Sequence, residues 1–264
     1  MSEKISSAIF WGEMNDPGVL RMKVVFDERF LEVYTSDPAA SPGRLESILQ
    51  EVQDYEFVKP KPASDEDVLL VHTLGHLEFV KSMPRIYELA IRAAGATIEA
   101  AEIAFSEPAF ALVRPPGHHA SPNSCWGFCY FNNIAISVRR LIAEGRIEKA
   151  VIVDFDLHFG DGTDNTFAND DRVRYFHMPD GDLESIPEFL EGEEFDVIAV
   201  SAGFDKHKDD WGRYLETEDY TEIGKILKEF AEERCEGRRY AALEGGYSTR
   251  VLGRNVKAFI EGFK

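Results

Sequence analysis

Short runs of β-branched and aromatic residues recur along the chain, and stretches with helical spacing lie between them. The apolar runs predict strands at Ala8–Trp11, Val68–His72, Phe110–Arg114, Ala150–Asp156, Val173–His177, Val197–Ala202 and Tyr240–Glu244. The clearest helical pattern is Thr217–Cys235, where Tyr220, Ile223, Ile226, Leu227 and Phe230 share a face behind a Thr217-Glu218-Asp219 start. Alanine-rich Met83–Phe105 and Tyr130–Ile142, with Ile134, Val138 and Leu141 on one side, predict two more helices. Strands alternating with helices predict an α/β fold with a largely parallel central sheet and helices on both faces. No internal repeat or low-complexity linker divides the 264 residues, which read as one domain, and Ser36–Gly43 reads as a surface loop.

Four of these strands run into unusual polar residues. Phe110–Val113 leads to Arg114-Pro115-Pro116-Gly117-His118-His119, and Ala150–Val153 leads to Asp154-Phe155-Asp156-Leu157-His158-Phe159-Gly160-Asp161-Gly162. Val197–Ser201 leads to Ala202-Gly203-Phe204-Asp205, and Tyr240–Leu243 leads to Glu244-Gly245-Gly246-Tyr247. In a parallel sheet all four ends lie along one edge, where open α/β sheets bind ligands. Side chains alternate along an extended segment, so residues 154, 156 and 158 are expected on a common face. Each ending has a plainer reading alone: a helix cap, a turn with an aromatic, a solvated acidic loop. Their convergence favours a site in which Asp156, His158 and Asp205 hold a metal and leave positions open for water and substrate. His118 and His119 suit acid–base chemistry near neutral pH, with Asp154 and Asp161 available to orient their rings. Tyr247 could donate its hydroxyl to an oxyanion. Together these groups describe metal-assisted hydrolysis of an amide.

Composition narrows the partners. With 29 basic and 48 acidic residues the net charge is −19, which disfavours direct contact with nucleic-acid phosphates or anionic lipid. It suits cationic partners such as polyamines or lysine-rich tails, and equally suits solubility in a salty cytoplasm. The apolar runs are too short to span a membrane, and Met1-Ser2-Glu3-Lys4 leads into no secretory pattern. Cys125, Cys129 and Cys235 form no disulfide framework, so a cytoplasmic location is expected.

The blocks RPPGHHA (114–120), GFCYFNN (127–133), VDFDLHFGDGT (153–163), SAGFD (201–205) and EGGY (244–247), in that order, resemble the histone deacetylase superfamily, which includes acetylpolyamine amidohydrolases. Pro42-Gly43-Arg44-Leu45-Glu46 matches a weaker signature near the N-terminus. The resemblance implies the arginase/deacetylase-like fold and a zinc-dependent deacetylase acting on an acetylated lysine peptide or an acetylated polyamine. It makes Asp156, His158 and Asp205 the metal ligands, with Zn²⁺ the default and Fe²⁺ a competitor at so oxygen-rich a site. It makes His118 and His119 the tandem acid–base pair, backed by Asp154 and Asp161, with His119 the base. Tyr247 becomes the carbonyl-polarising tyrosine, and Phe128, after Gly127, a wall of the substrate channel.

The chain also departs from the pattern. Only His177–Leu190 separates one strand from the next apolar region, and no second aromatic wall is evident there. The channel is therefore expected to be wider, or completed by a neighbouring subunit. Tyr175 stands where the family often has a serine that helps bind a structural monovalent cation. A K⁺ held by Asp154 and the backbone carbonyls of Asp156, His158 and Phe176 is a further expectation. His72 and His76 have zincin-like spacing but lack that motif's glutamate, so both read as structural, as does His177; His207 is expected on the pocket rim. Two other functions stay open: a two-metal ureohydrolase-like enzyme, and a non-catalytic binder of acylated ligands.

Overall fold

A computed structural model describes residues 22–264. The predicted strand Ala8–Trp11 lies outside them. Seven strands form one sheet: β1 (Lys23–Val25), β2 (Glu56–Val58), β3 (Ala109–Ala111), β4 (Ala150–Asp154), β5 (Val173–His177), β6 (Ile198–Ala202) and β7 (Arg239–Leu243). Their order is β2-β1-β3-β7-β6-β4-β5, and every pairing is parallel. Every residue of β4, β6 and β7 is buried, so both faces of the central sheet are covered. This is why those strands read as unbroken apolar runs rather than alternating ones. The four strands with polar endings, β3, β7, β6 and β4, are adjacent at the centre of the sheet.

The helices are α1 (Arg44–Glu51), α2 (Asp65–Val68), α3 (Leu74–Lys81), α4 (Pro84–Ile103), α5 (Asn133–Ala143), α6 (Asp161–Phe167), α7 (Ser185–Glu191), α8 (Thr217–Arg234) and α9 (Leu252–Phe263). They sort into two groups. α9 packs on α8 and α1, whereas α5 packs on α4, which lies along β1, β3 and β7. The three helices predicted from periodicity form within a few residues of their expected bounds. Capping sets the starts of two of them. The Asn132 side chain accepts from the Ala135 N–H at α5, and a reciprocal Glu216–Asp219 pair opens α8.

One predicted strand is wrong. Val68–His72 is not extended but continues from α2 as successive turns, with the Leu69 N–H bonded to the Asp65 carbonyl and His72 N–H to Val68. A Ser64–Asp67 capping box starts helical geometry there, and Leu69 and Leu70 are left exposed. Ser36–Gly43 is more than a surface loop. It contains a single 3-10 turn, Pro38–Ala40, whose two alanines are buried.

Candidate active site

The end of β4 divides its carboxylates between two tasks. Asp154 is fully buried. Its Oδ2 accepts from the His118 ring at 2.9 Å and from the Tyr175 hydroxyl at 2.9 Å, while Oδ1 accepts the Asp156 N–H at 3.0 Å. Beyond the strand the chain bends, and Phe155 goes into the core while Asp156 and His158 turn toward Asp205 after β6. Asp156 Oδ1 accepts from the His158 backbone at 2.9 Å and its Oδ2 from the Gly245 N–H at 2.7 Å. A side chain could not replace that glycine, because a Cβ there would sit 2.5 Å from Asp156 Oδ2.

Asp156, His158 and Asp205 place one potential ligand atom each within 4.8 Å of one another. His158 Nδ1 is 3.3 Å from Asp156 Oδ1 and 3.3 Å from Asp205 Oδ2. Asp205 Oδ1 accepts the Leu157 N–H at 3.0 Å, but its Oδ2 is buried with no hydrogen-bond partner. An unpartnered buried carboxylate oxygen is costly, and two carboxylates with one imidazole form a hard donor set suited to a divalent cation. Electrostatics agrees with the crowding. The neighbouring carboxylates of Asp156 and Asp205 raise His158 to about 10, and burial followed by the charge of Asp156 raises Asp205 to about 6. Burial opposes ionisation of Asp156, yet His118 and His158 hold it below the usual carboxylate range.

The loop after β3 brings two imidazoles to the same place. Gly117 and His118 donate their N–H groups to Glu244 Oε2 at 2.7 and 3.2 Å, tying that loop to the end of β7. The two histidine rings lie 4.1 Å apart, centroid to centroid. His119 Nδ1 meets Asp161 Oδ1 at 2.7 Å, and the second oxygen of Asp161 accepts from the Trp126 indole at 2.8 Å. The Trp126 ring also packs against His119 at 4.0 Å. In the sequence Trp126 carries no signal beyond being an aromatic just before Gly127-Phe128.

A cavity of about 120 Å³ opens over these groups, bordered by His118, His119, His158, Phe128, Trp211 and Tyr247. Gly127 and Phe128 both adopt left-handed backbone (φ +59° and +68°), a conformation disfavoured for phenylalanine. Tyr247 is wedged between Trp211, stacked at 4.0 Å, and Phe128, edge-on at 6.1 Å. Burial pushes its phenol well up, so the hydroxyl stays protonated. Two further residues hold Tyr247. Asp210 Oδ2 accepts from the N–H groups of Tyr247 and Ser248 at 2.8 and 2.7 Å. Arg44 donates to the carbonyls of Gly246 and Glu244, and its guanidinium lies 5.4 Å from the Tyr247 ring centroid.

Several expectations change. A further aromatic, Trp211, borders the cavity and is brought over His158 by a turn closed between the Gly212 N–H and the Asp205 carbonyl. His207 is not on the rim; it is buried, bonded to the Asp209 N–H and near the Thr217 hydroxyl. His72 and His76 are structural. His72 donates from Nδ1 to the Ser121 carbonyl and accepts the Asn132 N–H at Nε2, and His76 bonds the Tyr130 carbonyl. Cys129 and Cys235 are buried and Cys125 half-buried, all as free thiols.

A parallel sheet whose central strands deliver an Asp-His-Asp cluster and two carboxylate-backed imidazoles to one cavity has the layout of a metal-dependent hydrolase. The family model described as histone deacetylase domain matches residues 39–189 and 183–263, and the chain belongs to that family. A probable deacetylase of Archaeoglobus fulgidus is 34% identical over 81% of this chain and 74% of its own length. A histone deacetylase-like amidohydrolase of Pseudomonas aeruginosa is 29% identical over 71% of this chain and 65% of its own. The solved HDA15 HD domain superposes with a TM-score of 0.81 at 24% identity, covering 92% of this chain and 89% of that one, and so shares the fold.

Proposed function

We propose that this protein is a metal-dependent deacetylase that cleaves the amide of an acetylated amine, either an acetyl-lysine side chain or an acetylpolyamine. The observation that carries this reading is the unpartnered, buried Oδ2 of Asp205, 3.3 Å from His158 Nδ1, with His158 itself bordering the same cavity as His118 and His119. Asp156, His158 and Asp205 would hold the metal, Zn²⁺ by default and Fe²⁺ in competition. When bound, the metal polarises the substrate carbonyl and makes water acidic enough to attack near neutral pH.

The chain's own groups perform the remaining steps. The ring nitrogen of His119 opposite its Asp161 bond takes a proton from the attacking water, and Asp161 stabilises the imidazolium that forms. The Tyr247 hydroxyl donates to the oxygen that gains charge as the tetrahedral intermediate forms. His118, held by Asp154, gives a proton to the departing nitrogen as the C–N bond breaks. Acetate and a free amine are the products. Phe128, Trp211 and Trp126 line the approach and exclude water from an extended aliphatic chain.

The test is a hydrolysis panel of acetyl-lysine peptides and acetylated polyamines, run on protein reconstituted with Zn²⁺ or Fe²⁺. Turnover of one class with a single metal ion per chain is the expected result. Two metal ions per chain would favour the ureohydrolase-like reading, and no turnover of any acetylated amine would favour a binding role.

A further inference from the structure

The resemblance implies a monovalent cation beside Asp154, but the Asp154 and Asp156 oxygens expected to bind it already have partners within the protein. Tyr175 replaces the expected serine, and its hydroxyl donates to Asp154 Oδ2 at 2.9 Å while accepting the Gly160 N–H at 2.8 Å. The other Asp154 oxygen takes the Asp156 N–H, and the Asp154 carbonyl takes the Met178 N–H at 2.8 Å. The Asp156 carbonyl, a second expected ligand, accepts from His177 Nε2 at 2.8 Å. A potassium ion is held by oxygens that replace its hydration shell, and oxygens occupied by N–H and O–H donors are poorly placed to do so.

A buried lysine is nevertheless tied to the same strand end. Lys206, directly after Asp205, is completely buried, and its ammonium donates to the Met178 carbonyl. The Met178 N–H is bonded to the Asp154 carbonyl, so this one residue links the ammonium to the end of β4. Asp180 Oδ1 lies 3.7 Å from Lys206 Nζ. A buried ammonium is tolerated only where carboxylates and carbonyls compensate it, and a second cation placed alongside would be repelled.

We propose that this chain dispenses with the monovalent cation: the Lys206 ammonium supplies its charge, while the Tyr175 hydroxyl and the His177 ring take over its ligand oxygens. Lys206 and Tyr175 are then positioning residues, which set the end of β4 and the Asp154 carboxylate behind His118. The tethered cation cannot be exchanged with the medium, so the site keeps its geometry whatever alkali ion surrounds it. This inference concerns ion binding and stands whether or not the amide-hydrolysis reading holds.

The test is thermal unfolding of the metal-replete protein at constant ionic strength, with choline chloride progressively replaced by KCl or NaCl. The wild-type Tm is expected to be the same in all three salts; a saturable rise specific to KCl or NaCl would overturn the proposal. The double variant Tyr175→Ser with Lys206→Ala is expected to gain a saturable KCl response that choline does not reproduce. A folded double variant whose Tm ignores KCl would show that these two side chains are not what replaces the ion. If the double variant does not fold, the wild-type titration decides alone.

Discussion

His118 and His119 are identical side chains in adjacent positions, yet their surroundings push them in opposite directions. Burial acts to lower His118, but the charges of Asp156, Asp154 and Glu244 outweigh it and hold the ring well above the usual imidazole range. Burial lowers His119 too, and there the neighbouring His118 adds to the effect while Asp161 only partly offsets it. In the mechanism proposed above, these opposite directions would suit His118 to give a proton and His119 to take one. His119→Ala is expected to abolish turnover with metal content intact, measured by metal analysis beside the assay. Loss of metal in that variant would mean that His119 is a ligand. Tyr247→Phe should keep the contacts with Trp211, Phe128 and Arg44, which involve the ring, and lose only the hydroxyl. Its kcat should fall by about 10²-fold or more; wild-type kcat would refute the assigned role. The aspartates and histidines of the site were legible in sequence because each stands at a strand end or in the segment that directly follows one. Trp126, Arg44 and Asp210 were not, because their roles depend on bonds to residues 35, 202 and 37 positions away.

The long helices were legible from their period and the central strands from their apolar runs, whereas the edge strands β1 and β2 were not. β1 and β2 have three residues each, too few to display alternation, and their places, β1 beside β3 and β2 beside β1, depend on pairing across distant sequence. Val68–His72 shows the reverse failure, since an apolar run without periodicity cannot by itself distinguish strand from helical turns. The contact between α8 and α9 is another feature that only the assembled elements disclose. A Cβ on Gly224 would lie 2.5 Å from the Phe259 carbonyl oxygen, and one on Gly262 would lie 2.1 Å from that of Thr221. The two helix backbones approach too closely for any side chain at these points. Gly224→Ala gains about 1 kcal/mol of helix propensity. The clash, with backbone on the other side, should cost about 1–3 kcal/mol or more, so net destabilisation is expected by urea unfolding. Gly75→Ala in α3 is the matched comparison. Its Cβ would meet nothing nearer than the Thr73 hydroxyl at 4.0 Å, so the propensity gain of up to about 1 kcal/mol should appear as stabilisation. If Gly224→Ala were as stable as Gly75→Ala, the close helix packing would be wrong.

At the scale of the whole molecule the dominant property is the net charge of −19, which no single contact accounts for. Buried carboxylates at the site are held by local partners, as Asp154 and Asp156 show. Most of the excess acts instead as a long-range field. Such a field draws cationic substrates toward the protein and repels anionic ones, and it can change association rates by about 10- to 10³-fold. It is also screened by salt, because the Debye length shortens from about 30 Å at 0.01 M to about 8 Å at physiological ionic strength. Binding through aromatic walls and a carbonyl-directed site should respond far less to salt. A cationic acetylpolyamine and a neutral acetylated amide of similar length therefore separate the two contributions. For the cationic substrate, kcat/KM should fall roughly tenfold across that range with kcat nearly unchanged, since steering alters encounter rather than chemistry. For the neutral substrate, kcat/KM should stay about constant. Equal salt dependence for the two would mean that the acidic surface serves solubility and has no part in choosing the substrate.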